Sequence, residues 1–173
     1  MKSPYSHVLG IDPGESGGYA VLDSNFEVIS VSKYQSETDM VAELKAWRGV
    51  KDICAVIEDV HASPIMNPAS AFAFGDNFGA WRGAAKAVGL TIFGLRPQQW
   101  QSCYPGMLPE LKETAPDKRR REHKNNLRNL ANTLAGRSEN PAVFTLATCD
   151  AYLIARAALT NLRGTGLTGG KIL

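Results

Sequence analysis

The stretch Asp52–Val60, DICAVIEDV, restricts the fold more than any other part of this chain. A nearly continuous apolar run of that length reads as a strand buried on both faces, which requires helices packed on either side of its sheet. Upstream, Glu37–Arg48 carries Met40, Val41, Leu44 and Trp47 at helical spacing, with Ser36 or Thr38 available as a cap. A strand entered from a helix expects a parallel neighbour. The pattern recurs when a long helix over Ala69–Val88 leads into a second buried strand, Leu90–Leu95 (LTIFGL). Before all of these, His7–Asp12, Gly18–Asp23 and Glu27–Ser32 are joined by a PGESGG turn and by Ser24-Asn25, which predicts an antiparallel meander. Residues Pro97–Pro116 read as irregular and Asp117–Leu134 as a basic helix. Gly136–Pro141 breaks that helix, and Phe144–Leu162 reads as the last one.

The expected class is therefore α/β, a mixed five-stranded sheet flanked by helices. One domain is expected over residues 1–164, with a flexible tail over 165–173. With 44% hydrophobic residues, a 173-residue chain can bury one proper core. No apolar run reaches the roughly 18–20 residues that cross a bilayer, and the amino terminus lacks the apolar region of a secretory signal. Cys54, Cys103 and Cys149 are odd in number and lack metal-like spacing, so a reducing cytoplasm is the expected compartment.

Three acids stand where chemistry is easily built. Asp12 closes the first strand ahead of a turn in which Gly14, Gly17 and Gly18 let a bulky anion approach the backbone. Glu58 lies near the end of a buried strand, where an unpaired carboxylate is costly and a partner is required. Asp150 opens the apolar helical stretch DAYLIARAAL, whose Ala151, Ile154, Ala155 and Ala158 can face the sheet. Singly, each acid reads equally as a turn former or a cap. Jointly they predict one cleft of hard oxygen ligands, suited to Mg2+ or Mn2+ and to phosphodiester hydrolysis with two ions.

Charge adds a second theme. Between Lys118 and Arg128 six basic residues face one acid, Glu122, so this window carries +5 of a net +2 and leaves the rest at −3. Lys118, Arg121 and Lys124 recur at three-residue intervals, with Arg128 near the same side, a ridge able to bind phosphates without reading bases. On the Ala69–Val88 helix, Gly75, Gly79 and Gly83 form a small-residue stripe that Ala87 extends. Three glycines in register need a compensating contact, either with the helix's own sheet or with a second subunit. Trp81 and Trp100 read as core residues.

GIDPGESGGYAVLD, AVIEDVHASP, FGDNFGAWRGAAKAVGL with LRPQQWQSCY, and CDAYLIARAAL together resemble, in this order, the RuvC-like Holliday junction resolvases, the phage-type members above all. The resemblance spans roughly residues 7–160. It implies a ribonuclease H-like fold, a homodimer, and Mg2+-dependent paired nicking of four-way DNA junctions, with Mn2+ able to substitute. Matched residue by residue, Asp12, Glu58 and Asp150 fall on the first, second and last catalytic acids. The Gly75–Gly83 stripe falls on the helix that pairs two subunits. His61 falls where an aromatic residue stacks on junction bases, with Met66 in the same loop, and Lys118 or Lys124 falls near the family's active-site lysine.

One position departs from the pattern. The family carries an Asp or His three residues before its last acid, where this chain has Ala147. Asp59, Glu15 and His61 are the candidate substitutes and Thr148 a weaker one, although Asp59 should point away from Glu58 across its strand. An actin-like ATPase opens on a similar Asp-x-Gly turn but needs two lobes and about twice this length.

Overall fold

The alternation of apolar residues along the strands sorts them onto two sides of one sheet, and two helical layers close over those sides. The computed structural model describes residues 4–61, 66–136, 142–164 and 171–173. Its strands are β1 (His7–Asp12), β2 (Gly18–Asp23), β3 (Val28–Lys33), β4 (Ile53–Glu58), β5 (Thr91–Leu95) and β6 (Lys171–Ile172). Its helices are α1 (Glu37–Ala46), α2 (Pro68–Ala87), α3 (Pro97–Gln101), α4 (Pro116–Ala135) and α5 (Cys149–Gly164). The strands lie in the order β3-β2-β1-β4-β5-β6. β1 pairs parallel with β4, and β4 with β5, while β2 and β3 form the antiparallel meander.

Along β1 and β4, successive side chains belong to different cores. Val8, Cys54 and Val56 join the cluster under α4 and α5, with Leu95, Trp100 and Tyr152. Leu9, Ile11, Ile53, Ala55 and Ile57 join the cluster under α1 and α2, with Met40, Leu44 and Trp81. The same period of two assigns Asp12 and Glu58 to the α5 side and Asp59 to the other. Gly10 brings α5 down onto β1. A Cβ at this position would overlap the Ala151 carbonyl oxygen and stand 2.8 Å from the Ala155 Cβ, so only glycine admits the helix.

Local chemistry explains the segment boundaries. At the β2–β3 hairpin the Asp23 carboxylate accepts the N–H groups of Asn25 and Glu27, and Phe26 takes the left-handed conformation (φ 70°). Strand β3 accordingly begins at Val28, one residue later than the alternation suggests. Ser36 caps α1 through the Asp39 N–H, and Asn67 caps α2 through the Ser70 N–H, with Pro68 in its first turn.

Three features differ from the expectations above, and one open alternative is narrowed. Residues Pro97–Gln101, expected to be irregular, form the short helix α3, started by Pro97 and by the Gln99 side chain accepting the Arg96 N–H. Five residues are too few to show helical periodicity. The last helix begins at Cys149 and not at Phe144. The Phe144 N–H donates to Asn132 Oδ1 and its carbonyl accepts from Asn132 Nδ2, so α4 holds the backbone groups that a helix would use. The end of the expected tail pairs as β6, with Ile172 opposite Phe93, and adds a sixth strand to the sheet. Finally, Gly75, Gly79 and Gly83 do not pack on their own sheet, since among the described residues a Cβ at each would meet nothing within 4 Å. The face of α2 that is buried carries Asn77, Trp81 and Ala85 instead.

Candidate functional site

Asp12, Glu58 and Asp150 come from three elements brought together by the two layers just described. Asp12 ends β1 and enters a turn in which Gly14 adopts φ 118° and donates its N–H to Asn77 Oδ1 on α2 at 2.7 Å. Glu58 ends β4, two residues beyond Val56 on the α5 side. Asp150 lies in the first turn of α5, one residue before the Ala151 carbonyl that contacts Gly10.

A cation already sits among these acids. The Lys124 ammonium, from α4, lies 2.5 Å from Asp150 Oδ2 and 3.6 Å from Asp12 Oδ2. The Asp12 and Asp150 side chains are only 14% and 11% exposed. The Cys149 thiol donates to Asp150 Oδ1, so both oxygens of that carboxylate are engaged. The Trp100 indole N–H donates to Glu58 Oε1 at 2.8 Å. A hydrogen bond to a charged acceptor contributes about 1.5–3 kcal/mol net, and leaving either buried partner unpaired would cost comparable free energy.

The electrostatics are those of crowded negative charge. Burial and then the Asp150 carboxylate push the Asp12 carboxyl up to about 8, Glu58 adding to the rise and Lys124 opposing it. Burial raises Glu58 as well, with the Trp100 hydrogen bond pulling the other way. Burial works to lower Lys124, but Asp150 and Asp12 overcome it and hold the ammonium above its ordinary value. Excess carboxylate around one ammonium, with oxygen as the donor type, fits a hard divalent cation. Among the described residues no group of three His, Cys, Asp or Glu stands close enough to hold an ion without rearrangement, and Lys124 occupies the place between Asp12 and Asp150.

Of the two lysines left open by the sequence, Lys124 is at the acids, while Lys118 is exposed near the start of α4. Arg121 is exposed and Arg128 half-buried along the same helix. Of the open grooves beside α4, two have basic residues in their lining. One, of about 540 Å³, includes Lys112, Lys118 and Arg121 in its lining. The other, of about 700 Å³, includes Arg128, Thr145 and Ala147 and ends three residues before Asp150.

The candidate substitutes for the missing ligand at Ala147 lie as follows. Asp59 belongs to the opposite side of β4, where its Cβ lies 3.1 Å from the position a Gly94 Cβ would take. Glu15 is exposed at the turn, and His61 is exposed beyond β4. Residues 62–65 of the expected base-stacking loop lie outside the described residues, and Met66 at its far end is 36% exposed. Thr148 is buried, its hydroxyl accepting the Thr145 N–H. Sequence reasoning missed Trp100 as a site residue. Its apolar surroundings announced core, and only its hydrogen bond shows otherwise.

No family model matches this sequence, and no curated protein matches it. Solved structures do match in fold. A Thermus thermophilus RuvC structure aligns over 96% of this chain and 99% of its own, with a TM-score of 0.63 and 16% identity. The T. thermophilus RuvC in complex with a Holliday junction substrate aligns over 98% and 100%, with a TM-score of 0.62 and 17% identity. The chain therefore has the ribonuclease H-like fold in its RuvC form, as the sequence resemblance implied. Among the described residues no helix is long and apolar enough to cross a membrane.

Proposed function

We propose that this chain is a metal-dependent endonuclease that resolves four-way DNA junctions by paired nicks, acting as a homodimer. The observation that carries the reading is the gathering of Asp12 and Asp150 around the Lys124 ammonium, with Glu58 braced beside them, on a RuvC-like fold. The likeness to a RuvC solved with a Holliday junction substrate supports the choice of DNA.

Asp12, Glu58 and Asp150 are the residues that would hold Mg2+ or Mn2+. Such ions supply Lewis-acid polarisation of a phosphodiester and a nucleophilic water near neutral pH. The chain's own residues do the positioning. Lys124 pairs with Asp150 and lies close to Asp12, and a DNA phosphate offers its ammonium an alternative partner. Lys118, Arg121 and Arg128 extend the same helix as phosphate contacts, and His61 is the candidate for stacking on a junction base. The open stripe of Gly75, Gly79 and Gly83 lies on an exposed face with Phe72, which is 78% exposed, and supports a two-fold contact between copies.

A second reading has its own observation. Ala147 supplies no ligand and Lys124 occupies the space between two acids, as expected of a junction-binding protein with weak or lost cleavage. Incubating the protein with a synthetic four-way junction and Mg2+ or Mn2+ separates the two. Symmetric nicks that disappear in Asp12→Asn establish the endonuclease, whereas tight binding with intact strands in both metals overturns it.

A further inference from the structure

A glutamate side chain turns about three bonds, so one that holds a cation at a strand end needs something to fix it. The helix α3 supplies such a fixture. Trp100 is fully buried, and its indole N–H donates to Glu58 Oε1 at 2.8 Å across 42 residues of sequence. The helix that carries it is clamped at both ends. The Gln99 side chain accepts the Arg96 N–H at the start, and four residues beyond Trp100 the turn is tied down, where the Tyr104 hydroxyl donates to the Leu153 carbonyl at 2.6 Å. Leu153 lies in α5, one turn beyond Asp150. The segment Arg96–Tyr104 thus joins the strand end carrying Glu58 to the helix carrying Asp150.

A buried tryptophan brings an N–H that needs an acceptor, whereas a phenylalanine or leucine would fill such a place without a donor to satisfy. Here the donor meets the one carboxylate of the three that the Lys124 ammonium does not bridge. We propose that Trp100 is a positioning residue for Glu58: its N–H fixes Oε1 and keeps Oε2 as the oxygen available to a divalent cation. The inference rests on the metal-site reading of Asp12, Glu58 and Asp150 given above. Groups that orient metal ligands in this way change metal affinity by about 10–100-fold when removed.

The test uses the full chain and Mn2+ alone, without DNA, followed by calorimetry and by the electron paramagnetic resonance signal of free Mn2+. Trp100 is replaced by benzothienylalanine, in which sulfur takes the place of the indole N–H and the shape is kept, and in parallel by Trp100→Phe. Both changes are repeated in a Glu58→Gln background. Mn2+ affinity is expected to fall about tenfold or more in the sulfur isostere, with the circular dichroism spectrum unchanged, and to fall no further when Glu58 is already Gln. Wild-type affinity in the isostere overturns the proposal. An equal loss in both backgrounds overturns it too, since a purely structural role acts whether or not Glu58 is present. Failure of the wild-type protein to bind Mn2+ removes the metal-site reading itself and the inference with it, an outcome distinct from the other two.

Discussion

Glycine is used in opposite ways on the two sides of this sheet. Beneath α5, Gly10 is glycine because no other residue fits, the helix backbone resting where a side chain would be. On α2, Gly75, Gly79 and Gly83 are glycine although, among the described residues, a Cβ there would meet nothing within 4 Å, and each costs about 1 kcal/mol of helix stability relative to alanine. The first side is explained within one chain, and its close packing sets Asp150 beside Asp12. The second is not explained by any contact among the described residues, and a second copy is the partner the proposed function supplies.

The largest effect that could break this contrast is at Gly10. Gly10→Ala forces the new methyl into backbone atoms of α5, which cannot yield as a flexible side chain would. The chain should lose about 3 kcal/mol or more, and any junction cleavage should go with it. A denaturant midpoint close to that of the wild-type protein would show that α5 does not depend on this contact.

Asp12 comes next, because the packing that Gly10 permits also crowds negative charge. Its folded-state value, raised to about 8 from 3.8, means that folding favours the protonated form. The associated stability is fully present below the ordinary value and is lost as pH rises through about 8. In chelator, the Tm of the wild-type protein should therefore fall across that interval. Asp12→Asn should lack this part of the decline and be the more stable protein at pH 8 by on the order of 1 kcal/mol. Equal Tm values for the two proteins at pH 8 would contradict the crowding.

The smallest effect carries the opposite sign. Gly79→Ala should stabilise the isolated chain by about 0.5–1 kcal/mol, since the methyl enters open space and improves helix propensity. Sedimentation should show weaker self-association in the same variant if the stripe is a contact between copies. Unchanged association would leave the open stripe without the role proposed for it.

Much of this arrangement was legible in the chain itself. Apolar runs and period-two alternation located the first five strands, and the same alternation assigned Asp12 and Glu58 to one side of the sheet and Asp59 to the other. Glu58 demanded a partner because a buried carboxylate always does. Its identity was hidden, since Trp100 sits in a five-residue helix between prolines where no periodicity can show. The start of α5 was misjudged by five residues for a similar reason: the bonds that keep Phe144 out of the helix come from Asn132, in a different element.

The sequence by itself determined the first five strands, the long helices that cover them, and the types of oxygen ligand and cation available, because each follows from interactions between near neighbours and from hydrophobic period. Only the tertiary structure decided that Lys124 and not Lys118 meets the acids, that an indole holds Glu58, and that the α2 glycines face outward. Those outcomes depend on how each helix is rotated about its axis and how closely it approaches the sheet. Such quantities are set by packing between residues distant in the chain, which no local pattern records.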